Sequence, residues 1–421
     1  MRILYVAARF PTPARQGFQV RAHHQIRLLA PRHRITLVAF APREPSPAAR
    51  AELERHCEEI VTVPLGRAEM LAGLARGVLS DRPLQTTLYE TPAMRRAIGG
   101  ILAARRHDVV HVQLARMARH CVGSVAPVVV DLIDALSLNM ERRASRDPGP
   151  ARFAAALEAK RLRRYEQWLC RTFAHATVVS AVDRAAIGDF PNLTINPNGV
   201  VTDDLPPNGV VSDRLPPNGV VSDHLPPDGV AAEPPMSAAG AGREPGCIAF
   251  TGNLGYFPNV DAVEWFVREV LPRVRRTRPS ARLVVAGTRP HRRVRALERL
   301  HGAVVVEADP PDLRAVLRRA AVAVAPMHAG SGQPLKILEA MACGTPVVAT
   351  PVAASGLEVE AERDILIGGD ADAFAAQVER ILASPPLAET IAGHARRLVE
   401  SRYSWERSVA GLEAIYRSVA P

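Results

Sequence analysis

Residues 328–358 read HAGSGQPLKILEAMACGTPVVATPVAASGLE, directly after the apolar run VAVAPM at 322–327. The run is short and continuously apolar, as expected of a strand buried on both faces. It empties into a small-residue loop, Ala329-Gly330-Ser331-Gly332. Pro334 then suits the first turn of a helix, which the pattern predicts over 335–343. PVVAT at 346–350 gives the next strand. Strand, glycine loop, helix and strand in this order form a crossover unit of a parallel sheet.

The same alternation extends in both directions. RILYVAA (2–8), RITLVAF (34–40), EIVTVPL (59–65), DVVHVQL (108–114), PVVVDLI (127–133) and ATVVSA (176–181) read as buried strands. Helical spacing falls between them at 18–29 and 92–105, and the Ala/Leu/Glu/Arg-rich stretch 151–173 predicts one long helix. In the second half CIAFTG (247–252), ARLVVAG (281–287), AVVVEA (303–308) and DILIG (364–368) join VAVAPM and PVVAT. Helices are predicted at 260–274, 292–300 and 311–319. The fold class expected is α/β, with two Rossmann-like doubly wound domains and a cleft between them.

Composition narrows the class. A chain of 421 residues exceeds one ordinary core, and 47% hydrophobic residues with mixed charge describe a globular protein. No apolar run is long enough to cross a bilayer, and the N-terminus lacks a signal-peptide pattern, so a cytoplasmic location is expected. Five scattered cysteines without a C-x-x-C pair argue against a disulfide framework or structural zinc. The net charge of +10 admits an anionic partner, but no aromatic-interleaved basic motif points to nucleic acid. Arg142, Arg143, Arg146, Arg161, Arg163 and Arg164 cluster in sequence and are the candidate contact with anionic lipid at the inner face of a membrane. Only Lys160 and Lys336 among 53 basic residues are lysines, so each hints that a compact ammonium is needed.

Between the halves, a decapeptide occurs three times over 197–226 and decays in a fourth copy. Its Pro-Pro and Asn-Gly steps favour turns and extended chain over a packed core, which reads as an enlarged linker. The expected division is 1–195, a linker at 196–246, a second domain at 247–395, and a C-terminal helix at 396–421 returning toward the first domain.

Chemistry is expected beyond the carboxyl ends of the strands. The first strand is followed by AARFPTPARQG without a dinucleotide fingerprint, and no phosphate loop of the Walker type is present. Lys336 and Glu339 lie three apart near a helix start, on one face. A cation there neutralises phosphate and a carboxylate accepts ribose hydroxyls; an ordinary capped helix with an ion pair is the alternative.

Segment 328–358 resembles the nucleotide-sugar signature of family 4 glycosyltransferases, whose two domains form the GT-B fold. IAFTGNLGYFPNVDAVEWFVREVLP (248–272) resembles the opening of the family's donor domain, and INPNGV (195–200) the approach to its linker. DLIDALS (131–137) and AKRLRRYEQWL (159–169) resemble the exopolysaccharide, PEP-CTERM-system-associated sugar transferase subgroup. The resemblance implies a retaining, metal-independent transfer of a hexosyl group from a nucleotide diphosphate sugar to a hydroxyl of a glycan or lipid-linked acceptor, with no cofactor. It implies donor contacts at Gly252, Asn253, Gly287, Arg289, Gly330, Ser331, Gly332, Lys336 and Glu339, and acceptor-side roles for Gly17 and Arg21. Three positions depart from the family pattern. Ser331 stands where many members carry the first of two glutamates. Asn253 and Asn259 replace a common arginine and lysine. The acceptor-side histidine is absent, leaving Asp134 as candidate catalytic residue or as the cap of the next helix. A sugar-nucleotide epimerase and an inactive sugar-nucleotide-binding scaffold remain alternatives.

Overall fold

The computed structural model describes residues 1–14, 16–202 and 242–420. The repeats beyond Thr202 lie outside the described residues.

Among these, two parallel sheets form. In the first, β1 (Arg2–Ala7), β2 (Arg34–Phe40), β3 (Glu59–Val63), β4 (Val109–Gln113), β5 (Val128–Ile133), β6 (His175–Val178) and β7 (Leu193–Ile195) are ordered 3-2-1-4-5-6-7. In the second, β8 (Glu244–Asn253), β9 (Arg282–Thr288), β10 (Val304–Ala308), β11 (Ala320–Ala325), β12 (Val347–Ala349) and β13 (Leu366–Ile367) are ordered 10-9-8-11-12-13. Strand order reverses between β1 and β4, and again between β8 and β11. Crevices open at such reversals, beyond the strands' carboxyl ends.

The Val/Ile runs are buried because helices cover both faces of each sheet. One face of the first sheet packs Leu4, Val6, Val110 and Val130 against helix Pro150–Thr172 residues Leu162 and Leu169. The other face is completed from the far end of the chain. Val409, Leu412 and Tyr416 of helix Trp405–Val419 join Ile3, Tyr5 and Ile26. Tyr416 Oη lies 2.8 Å from His111 Nδ1, and Arg32 Nε donates to Glu413 Oε1 at 2.7 Å.

The return begins at Trp405. Expecting it at 396 was wrong, because helix Pro385–Arg402 runs on without a break and keeps Ala395 and Val399 in the second domain's core. The second domain likewise starts earlier than 247, since β8 pairs from Glu244.

Two chain segments cross between the domains side by side. Val200 N–H donates to the Tyr403 carbonyl at 2.8 Å, and a Cβ on Gly199 would stand 2.4 Å from Trp405 N. Only glycine allows that approach.

Candidate functional site

The carboxyl ends of β8 and β9 press together. Gly252 has φ +146 and Gly287 φ +157, and a Cβ on Gly287 would lie 1.7 Å from the Gly252 carbonyl oxygen. The loop after β8 rides on the loop after β9: Leu254 N–H donates to Thr288 O, and His291 N–H to Leu254 O. Asn253 Oδ1 accepts from Gly255 N–H at 3.0 Å, and its carbonyl accepts from Asn259 Nδ2 at 2.8 Å. The Asn253 side chain therefore shapes this turn. Arg289 is exposed at the rim with φ +53, its carbonyl packed under Gly255.

Helix Leu335–Ala342 starts beside this platform. Lys336 Nζ donates to Asn259 Oδ1 at 2.7 Å and sits 3.8 Å above the centre of the Phe250 ring. A Cβ on Gly252 would stand 3.2 Å from that Nζ, so the glycine leaves room for the ammonium. Burial pushes the Lys336 pKa down to about 7, with nearby Glu339 opposing the shift. Burial raises the Glu339 carboxyl, while Arg314 and Lys336 pull it back. Gly252, Asn253, Lys336 and Glu339 thus come together, joined by Asn259, which is not among the expected contacts.

The glycine loop meets the first domain directly. Ser331 Oγ donates to Asp134 Oδ2 at 2.7 Å, and Gly332 N–H donates to Asp183 Oδ1 at 3.2 Å. Arg142 donates to the Gly330 carbonyl at 2.6 Å and to Ser355 Oγ at 3.3 Å. Gly332 has φ +75, and a Cβ there would come within 3.0 Å of Asp134 Cβ. The Gly332 amide, expected to face a diphosphate, is taken by a first-domain carboxylate in this closed arrangement. Asp134 does not cap the following helix; its carboxylate bridges the cleft to Ser331.

Burial and the neighbouring Asp183 raise the Asp134 pKa to about 6. Burial raises Asp183 as well, against bonds from Ser180, Ala135 and Gly332. Burial likewise lifts Glu166, which accepts from the Ser137 amide and hydroxyl, to about 7. Three carboxyls, two of them wholly buried, are therefore crowded together in the first domain. Sequence reasoning missed Asp183 and Glu166. The Ser180-x-x-Asp183 spacing at a helix start was a readable signal for the former.

Arg21 is a correction. It is wholly buried, forks onto Asp131 at 2.6 and 3.2 Å, and donates to the carbonyls of Asn196 and Pro197 and to Asn198 Oδ1. Burial alone would raise Asp131, but Arg21, His111 and bonds from Arg21 and Gln25 hold it below its usual value. Arg21 therefore ties the first sheet to the interdomain crossing and offers no donor to an acceptor. Gly17 opens helix Gly17–Leu29, where a Cβ would touch Leu335 at 3.5 Å.

The arginine cluster is also redirected. Arg142 holds the glycine loop, Arg146 pairs with Asp261 at 3.2 Å, and Arg143 pairs with Asp147 and lies over the Phe257 ring. Arg163 pairs with Glu141. Four of the six arginines are thereby engaged within the protein.

Residues 245–384 match the family model described as Glycosyl transferases group 1. The matched segment lies within the second domain, which begins at β8. Among curated proteins, the chain is 30% identical over 209 residues to the glycogen synthase of Mycobacterium tuberculosis (strain CDC 1551 / Oshkosh), covering 44% of this chain and 46% of that protein. It is 35% identical over 186 residues to the D-inositol 3-phosphate glycosyltransferase of Segniliparus rotundus, covering 41% and 39%. The chain thus spans less than half the length of these relatives.

Among solved structures, the sucrose-phosphate synthase of Thermosynechococcus elongatus superposes with a TM-score of 0.70 at 17% identity, covering 99% of both chains. Anabaena HepE in complex with UDP-glucose superposes at 0.65 and 13% identity, covering 99% of this chain and 100% of that one. The fold is accordingly GT-B, with two Rossmann-like domains.

Proposed function

We propose that the protein is a glycosyltransferase that moves a hexosyl group from a nucleotide diphosphate sugar to a hydroxyl acceptor. The observation that carries this reading is the Lys336 ammonium, held beside Asn259 and Gly252 at the start of a helix. The family resemblance places a lysine at position 259; here the cation reaches the same spot from position 336. The matched family model covers this half, and HepE was solved with UDP-glucose.

In the reaction proposed, the acceptor oxygen forms a bond to the anomeric carbon while that carbon's bond to the diphosphate oxygen breaks. The bonding pair leaves with the diphosphate, and the acceptor proton passes to the departing phosphate oxygen with retention at the anomeric carbon. Lys336, with the glycine-loop N–H groups other than that of Gly332, which Asp183 holds, stabilises the charge that develops on that oxygen. Glu339 holds the ribose hydroxyls. Asp134, through Ser331, brings the two domains together and excludes water. No metal or cofactor takes part in these steps. No helix of the described residues is long and apolar enough to cross a membrane. Work at the cytoplasmic face of a membrane, in exopolysaccharide or other cell-surface glycan synthesis, completes the proposal.

The test is incubation of purified protein with a panel of nucleotide sugars, reading nucleoside diphosphate release. Release from one donor, accelerated by an acceptor, is expected. An isomerised donor would make the protein an epimerase, and binding without release would make it a scaffold.

A further inference from the structure

Helix Arg67–Val78 carries its glycines inside and its leucines outside. A Cβ on Gly73 would collide with the Thr87 carbonyl oxygen, and one on Gly77 with Thr87 Oγ1 and Leu84. The helix therefore lies flush on helix Leu84–Thr87, with its glycine face fixed inward. The opposite face is held toward solvent. Leu71 is 65% exposed, Leu74 38%, Val78 62% and Leu79 87%, with Ala68, Ala72 and Ala75 exposed among them. Residues 71, 74 and 78 are three and four apart, which lines them up as one stripe along the helix.

Most charges along this segment are drawn off the stripe. Arg76 folds back to donate to the Ala72 and Glu90 carbonyls, Glu69 accepts from the Gly66 amide, and Arg82 pairs with Glu90. Two charges are left. Arg67 stands seven residues before Leu74 and Asp81 seven residues after it; both are exposed, and neither has an ion pair among the described residues. The surface is apolar in its middle, positive at one end and negative at the other. Large apolar side chains exposed side by side mark an interaction surface. The end charges select the partner. An anionic bilayer would meet Asp81 with like charge. A second stripe, turned end for end about a two-fold axis at Leu74, sets Leu74 against Leu74, Leu71 against Val78 and Arg67 against Asp81, the last two pairs formed twice.

We infer that this helix face is a self-pairing surface, on which a second copy of the chain docks about a two-fold axis at Leu74. The pairing is independent of the sugar-transfer reading. A helix of 12 residues is about 18 Å long and gives an interface at the small end of specific ones. The dimer is accordingly reversible, with a dissociation constant on the order of micromolar.

The experiment is sedimentation velocity of the full chain from about 1 to about 100 µM. The weight-average mass should rise from one chain toward two. Leu74→Glu sets two carboxylates against each other on the axis and should weaken dimerisation about tenfold or more. Its melting temperature should hold, because the side chain faces solvent. Arg67→Glu and Asp81→Arg should each weaken the dimer. Arg67→Glu/Asp81→Arg should restore it to within severalfold of wild type, since the exchanged charges are again complementary. Should Leu74→Glu melt early, this charge exchange answers in its place. Leu74→Cys should join two chains on mild oxidation, whereas Leu300→Cys, at an exposed position of the second domain, should not. A monomer throughout the concentration range, a dimer that folded Leu74→Glu leaves intact, or a double exchange no better than its single variants would overturn the inference. Monomeric protein that co-sediments with phosphatidylglycerol vesicles, and loses them on Leu74→Glu, would give the face to a membrane instead.

Discussion

The Lys336 ammonium and the Asn259 amide oxygen are 2.7 Å apart, on two helices that start at the edges of the same crevice. Burial draws the Lys336 pKa down to about 7, far below the usual 10.4 of a lysine. A lysine lowered in this way is partly neutral at physiological pH and is recharged by an arriving dianion. Nucleoside diphosphate binding should therefore take up a proton at pH 8 and weaken as pH rises above 7. Calorimetry in buffers of different ionisation enthalpy measures this directly. Binding without proton uptake at pH 8 would place the diphosphate away from Lys336.

The Asp134 carboxyl, raised to about 6, faces Ser331 across the cleft. Its unfolded value is near 3.9. A raised carboxyl contributes stability that is complete below the unfolded value and is lost as pH rises through about 6. Asp134→Asn removes this titration and keeps an acceptor for Ser331. The melting temperature of the variant relative to wild type should rise in the variant's favour between pH 5 and pH 8. A difference that stays constant across that range would show that Asp134 is ionised without penalty.

Arg21 and Asp131 are both wholly buried and bonded at 2.6 Å. Arg21→Ala leaves a buried carboxylate without its cation and the Asn196 carbonyl without a donor, while Ser408 Oγ still donates to the Pro197 carbonyl. The expected loss is about 3–5 kcal/mol of stability, read from urea unfolding. Arg21→Ala/Asp131→Ala should recover part of it. A cost below about 1 kcal/mol, the range of exposed pairs, would contradict the role as crosspiece.

Gly332 is held at φ +75 against Asp134. Gly332→Ala adds a Cβ in a backbone region that L-residues avoid, at roughly 1 kcal/mol or more. Small-angle scattering of the variant should show a more open pair of domains than wild type. An unchanged profile would mean that the loop shifts without releasing the first domain.

The sheets were legible because buried parallel strands are written as continuous apolar runs, such as ILYV in β1 and VVVDLI in β5. β7, only three residues long and half exposed, offered no such run. Helix Arg67–Val78 went unread because its inward face is made of glycines while its leucines point out, which inverts the usual pattern. The Lys336 and Glu339 cluster was readable from spacing three apart on one helix. The docking of Ser331 on Asp134 and of Gly332 on Asp183 was not, since these partners lie 197 and 149 positions apart. Arg21 misled for the same reason: nothing local marks Asp131, 110 positions away, as its partner.

On the proposed function, Lys336 supplies, from a different helix, the cation that the family pattern places at position 259. Titration with nucleoside diphosphate of Lys336→Ala and of Lys336→Ala/Asn259→Lys tests it. Losing one charge-assisted contact should weaken binding by roughly 1.5–3 kcal/mol, about tenfold to a hundredfold, with the melting temperature maintained or raised. Returning the ammonium at position 259 should restore affinity to within severalfold of wild type. A folded double variant that binds no better than Lys336→Ala, or a Lys336→Ala protein that binds like wild type, would contradict the claim.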